Sequence, residues 1–103
     1  MLSGFLRDRE LRHALRRGTA RDERFDELFP EQVRAVSRMY WTPLRVATLA
    51  AEQFDEHHAV RILDVGSGPG KFCLAAAAAE PNLVLTGVEQ RPNLVDAARS
   101  AAH

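Results

Sequence analysis

The stretch Val60-Arg-Ile-Leu-Asp-Val-Gly-Ser-Gly-Pro-Gly70, taken together with Glu89 further along, decides the fold of this 103-residue chain. A short apolar run ends at a turn holding three glycines, and a second apolar run, residues 83–88, ends at Glu89. Short apolar runs bounded by Gly and Pro read as strands buried in a parallel sheet. Between them, residues 71–80 supply the crossover helix that parallel strands require, and Ala75 to Ala79 let it approach the sheet closely. Pro81-Asn82 ends that helix. Pro92 opens a last helix running to about residue 102, with Leu94, Val95 and Ala98 facing inward. The right-handed crossover rule sets the two strands side by side, so the predicted class is α/β.

The turn points to a ligand as well as to a fold. Gly66, Gly68 and Gly70 allow the backbone to approach a bound molecule, and the helix N-terminus behind them presents N–H groups. Glu89, at the tip of the second strand, is placed to accept hydrogen bonds from ribose hydroxyls. This is the anatomy of the nucleoside-binding half of a Rossmann-like sheet. Two phosphate-binding motifs fail at this turn. A dinucleotide fingerprint has glycines at its first, third and sixth positions, whereas the sixth here is Lys71 and Gly70 falls one place early. A Walker-type loop ending at Gly70-Lys71 needs glycine at position 65 and Ser or Thr at 72, where the chain has Val65 and Phe72. The nicotinamide-dinucleotide half of an oxidoreductase stays as an alternative, as does a non-catalytic remnant serving as an interaction module.

Asp64-Val-Gly-Ser-Gly-Pro-Gly70 resembles the first motif of class I S-adenosylmethionine-dependent methyltransferases, and Thr86-Gly-Val-Glu89 resembles that family's second cofactor motif. The resemblance implies a Rossmann-like parallel sheet, S-adenosylmethionine as cofactor and methyl transfer as the activity. It implies that Gly66, Ser67, Gly68 and Gly70 lie against the methionine and ribose, that Asp64 orients the methionine end, and that Glu89 takes the ribose hydroxyls. Gln90 stands where the family usually has an apolar contact to adenine, so its long polar chain would lie across the ring; Arg91 follows it. No catalytic residue is assigned, because the family's substrate-positioning residues follow its third and fourth strands.

The implied sheet has seven strands, of which this chain supplies the first two, so the chain is expected to be inactive alone for want of the C-terminal half. An exposed apolar sheet face and an open strand edge are therefore expected. A truncated reading frame, a cloned fragment or a complementing chain would account for them. The methyl acceptor is unassigned between protein and nucleic acid. Leu63-Asp-Val-Gly-Ser-Gly with Gly70-Lys71 is similar to protein-lysine methyltransferases acting on histones, and Tyr40-Trp-Thr-Pro43 is similar to a cofactor-enclosing element of some adenine-modifying enzymes.

Upstream, residues 1–41 read as a helical N-terminal extension to a cofactor domain at 42–103. Leu2, Phe5 and Leu6, then Leu11, Ala14 and Leu15, recur at helical spacing and predict a helix over 2–17 closed by Gly18. Thr19 and Asp22 stand at capping-box spacing. Phe25, Leu28, Phe29, Val33, Val36 and Tyr40 continue a helical stripe across Pro30, which marks a restart or kink. Thr42-Pro43 predicts a further helix to about residue 54, with the hydroxyl as cap and Pro in the first helical position. Residues 55–59 read as a connector.

An apolar content of 46% suffices for one small core, and a single Cys excludes an internal disulfide and suits a reducing compartment. Cys73, ahead of an alanine run, is expected to pack as a small apolar residue. Charged residues interrupt every apolar run, and the N-terminus lacks a signal-peptide core, so a cytoplasmic protein without a membrane partner is expected. Net charge is zero, although residues 1–24 hold seven Arg against four acids and the remainder seven basic against ten acidic residues. Acids interleave those arginines, which reads as a solvated helix surface rather than a nucleic-acid arm. Lys71 opposes the dipole of the helix it opens and is expected to be solvated. His57 and His58 are neighbours that diverge on any regular element, so no metal site is expected.

Overall fold

A computed structural model describes residues 6–102 and arranges them as a helical half followed by a strand–helix–strand–helix unit. Leu2 and Phe5 lie outside the described residues. Helix α1 (Arg9–Arg17) starts well after the expected position, because Asp8 accepts the Leu11 N–H at 2.9 Å and caps it. Leu6 instead forms an antiparallel bridge with Ala102, and the Arg7 N–H donates to Ala101 O at 2.9 Å. Gly18 closes α1 in the left-handed region, φ 71°, its N–H reaching the carbonyls of Ala14 and Leu15.

The stripe across Pro30 resolves into three short pieces, α2 (Asp22–Asp26), α3 (Glu31–Arg34) and α4 (Ser37–Tyr40). Phe25, Phe29 and Val33 are buried as the spacing predicts, but the stripe fails at Val36 and Tyr40, which are exposed. The backbone restarts between α3 and α4, so the helical phase does not carry through. Helix α5 (Leu44–Glu56) begins one residue later and ends later than expected; beyond it His58 turns the chain at φ 61° and the Ala59 N–H donates to Phe54 O.

Strand β1 (Arg61–Val65), helix α6 (Lys71–Ala79), strand β2 (Val84–Val88) and helix α7 (Pro92–Ala101) follow close to their expected bounds. The strands are parallel, with Asp64 opposite Gly87 and Val65 opposite Val88. The chain is thus an α/β protein with a two-stranded parallel sheet. Alanine decides where α6 sits: Ala75 and Ala76 are fully buried, and the helix packs against α1, α5 and β2. Buried apolar residues from the helical half and from the strand–helix unit form one cluster, from Leu11 and Phe25 to Leu74, Leu85 and Ala98.

Side chains alternate across the sheet. Leu85 and, in part, Ile62 meet the core, whereas Leu63, Val65, Val84 and Val88 are 63%, 77%, 53% and 41% exposed. The expected bare apolar face is therefore present. Among the described residues, no helix is long and apolar enough to cross a membrane.

Candidate functional site

The turn after β1 is built from three glycines in the left-handed region, Gly66 at φ 74°, Gly68 at φ 59° and Gly70 at φ 85°. A residue with a Cβ is disfavoured there by about 1–2 kcal/mol. Among the described residues, a Cβ at Gly66 or Gly68 would meet no atom within 4 Å beyond its chain neighbours, so open space and backbone conformation, not packing, account for these two glycines. The Gly66 and Ser67 N–H groups donate to Val88 O at 2.8 and 3.0 Å, and the Gly68 N–H donates to Glu89 Oε1 at 2.9 Å. Amides that the sequence offers to a ligand are thus already engaged within the protein. They satisfy the last carbonyl of β2 and one of the positions on the Glu89 carboxylate.

Gly87 is the residue that sequence reasoning undervalued. A Cβ there would stand 2.6 Å from Ser67 Oγ and 2.7 Å from Ser67 Cβ, so its absence is what lets the turn lie on β2. The available signal was a glycine inside a strand, which marks close approach of another segment. Ser67 therefore seats the turn through its side chain while also lining the adjoining cavity.

Two carboxylates flank the turn. Glu89 accepts the Gly68 N–H, the Arg91 N–H at 3.0 Å, and Arg91 Nε and a terminal guanidinium nitrogen at 2.9 and 3.3 Å. The Arg91 side chain first, then the Arg91 and Gly68 amides, hold its carboxyl at about 2, against an ordinary 4.5. Asp64 is half-buried; burial pushes its carboxyl up, opposed by the Cys73 thiol, whose Sγ lies 3.8 Å from Oδ2. Burial, then the charge of Asp64, push the Cys73 thiol up to about 12, so it stays neutral and packs as a small apolar group.

Asp64, Gly66, Ser67 and Gly68 open onto a cavity of about 420 Å³. The segment carrying Val33, Tyr40, Trp41 and Thr42 faces them, and Arg91, Asn93 and Leu94 from the start of α7 close one side. Gly70 sets the first turn of α6 from outside this lining, and Gln90 is exposed away from it. Glu89 is also absent from the lining, its place at the wall taken by Arg91.

Lys71 corrects the sequence expectation most sharply. It is 3% exposed rather than solvated, with Nζ 2.8 Å from Asp22 Oδ1 and 2.8 Å from Asp26 Oδ1. The Phe25 and Trp41 ring centroids lie 6.0 and 5.9 Å away. Two acids from α2 outweigh the unfavourable helix dipole at the first turn of α6. Asp22 also accepts the Leu44 N–H at 2.9 Å, and so caps α5 in place of Thr42. Burial pushes the Asp22 carboxyl up, but Lys71 and the Leu44 amide together hold it below its ordinary value. Ser37 Oγ donates to Asp26 Oδ2 at 2.5 Å, and Trp41 meets Phe29 edge-on at 5.2 Å. This cluster fixes the facing segment over the glycine turn. Comparison with protein-family models, with curated proteins and with solved structures found no match.

Proposed function

We propose that this chain is the S-adenosylmethionine-binding portion of a methyltransferase with a Rossmann-like sheet, its methyl acceptor unassigned between protein and nucleic acid. One observation carries the reading: a left-handed glycine turn, a strand-tip carboxylate tied to its middle amide, and a second carboxylate at the cavity wall adjoin one another. The volume, about 420 Å³, falls within the range of roughly 300–1,000 Å³ usual for small-molecule sites. Open space beside Gly66 and Gly68 suits close approach of a ligand to bare backbone. Asp64 suits the ammonium of a methionine moiety, Glu89 the ribose hydroxyls, and Trp41 an enclosing wall.

Bound S-adenosylmethionine supplies a methyl group on a sulfonium, and its transfer by in-line displacement asks the protein chiefly to align the acceptor. The residues above bind and orient; none is assigned to proton transfer. The dinucleotide alternative is weaker. Where its fingerprint has a third glycine for helix–strand packing, Lys71 is buried beneath α2.

Calorimetric titration tests the reading. S-adenosylhomocysteine and S-adenosylmethionine are expected to bind in preference to NAD, with binding abolished in Gly68→Val and strongly weakened in Glu89→Ala. Preference for NAD, or heat of binding from none of the three, sinks it.

A further inference from the structure

We propose that Arg91 is a latch on the strand-tip carboxylate, closed in the empty site and displaced whenever a ribose diol binds. The inference rests on the nucleoside reading above. A carboxylate offers about four lone-pair positions. Glu89 has four donors: the Gly68 and Arg91 N–H groups, fixed by the backbone, and two nitrogens of the Arg91 guanidinium. A diol that engages both oxygens therefore needs the two positions that the guanidinium holds.

Exposure agrees with this arrangement. The Glu89 side chain is 4% exposed and the Arg91 side chain 64%, and it is Arg91 that lines the cavity. The Gly68 and Arg91 amides stay in place when the guanidinium leaves, so the carboxylate remains oriented and ionised for its new partners. Opening is inexpensive, because a guanidinium already largely in water regains hydration as it departs. Fully exposed ion pairs correspond to factors of up to about five in an equilibrium constant, and this pair, with Glu89 nearly covered, is worth at least that much. The latch thus tunes affinity and keeps the carboxylate from pairing with other cations.

The experiment compares the unaltered chain with Arg91→Ala by calorimetry, using S-adenosylhomocysteine, a zwitterion without net charge. Arg91→Ala is expected to bind it at least about fivefold more tightly at low salt. Rising salt screens the latch in the unaltered chain and has no latch to screen in Arg91→Ala, so the gap should narrow. In competition experiments, Arg91→Ala should favour adenosine more than it favours 2′,3′-dideoxyadenosine, which lacks the diol. Equal or weaker binding of S-adenosylhomocysteine by Arg91→Ala overturns the latch and leaves the site standing, as does a gap between the two proteins that widens or stays flat with salt. Failure of both proteins to bind any of these nucleosides overturns the latch and the nucleoside reading together.

Discussion

Glu89 and Gly87 sit at neighbouring points of β2 and its tip, and each makes a separate prediction at the scale of one residue. The carboxyl of Glu89 is held at about 2 in the folded chain, against 4.5 ordinarily. A depressed value means that its stabilising contribution is complete above about pH 4.5 and is lost as pH falls towards 2. Melting temperature measured across that window should fall in the unaltered chain, and Glu89→Gln should flatten the decline. Gly87→Ala drives a methyl into Ser67 and should cost about 1–3 kcal/mol in urea unfolding. Gly66→Asn meets open space and a residue type that tolerates positive φ, so its loss should be smaller. Glu89 and the glycine turn were legible because the signal is local in sequence. Lys71 was not, and Gly87 only as a sign of close approach, since the partners of both are side chains that only the fold brings near.

Elements show the same division. The strand–helix–strand–helix unit was readable from apolar runs and Gly/Pro punctuation, and its bounds shifted by no more than a residue or so. In the helical half Gly18 closes α1 as expected, but the N-caps expected at Thr19 and Thr42 are not formed. The Thr19 hydroxyl turns back to Ala14 O at 3.3 Å, and Asp22, read as part of its own helix's capping box, caps α5 and pairs with Lys71. The junction of α2, α4, α5 and α6 is thus one electrostatic knot against the Phe25 and Trp41 rings. Lys71→Met should leave two acids without their cation. Asp22 is partly exposed, which tempers the cost to about 2–3 kcal/mol, below the range for a fully buried pair. Adding Asp22→Asn and Asp26→Asn should restore much of that loss, since the uncompensated charges disappear. Urea unfolding of the single and triple variants checks this; a triple variant no more stable than Lys71→Met would mean that packing, not charge, holds the knot.

At the scale of the whole molecule, the described residues cover the sheet on one face only. Both strands are edges, and Leu63, Val65, Val84 and Val88 present an apolar surface to water. Such a face gives no hydrophobic stabilisation to the isolated chain, yet it favours association of copies through contact with that face or pairing along an edge. Leu63→Thr with Val65→Thr removes apolar surface while keeping strand preference, because Thr is β-branched. Unfolding free energy should then change by no more than about 0.5 kcal/mol, as for other exposed positions. Light scattering at rising protein concentration should fall at the same time. Leu74→Ala, on the covered side, should cost about 2–5 kcal/mol, because that side chain is 1% exposed. If the Thr pair instead destabilised the chain as strongly as Leu74→Ala, the face would have to be covered in solution, and the two-stranded sheet would not stand alone as described.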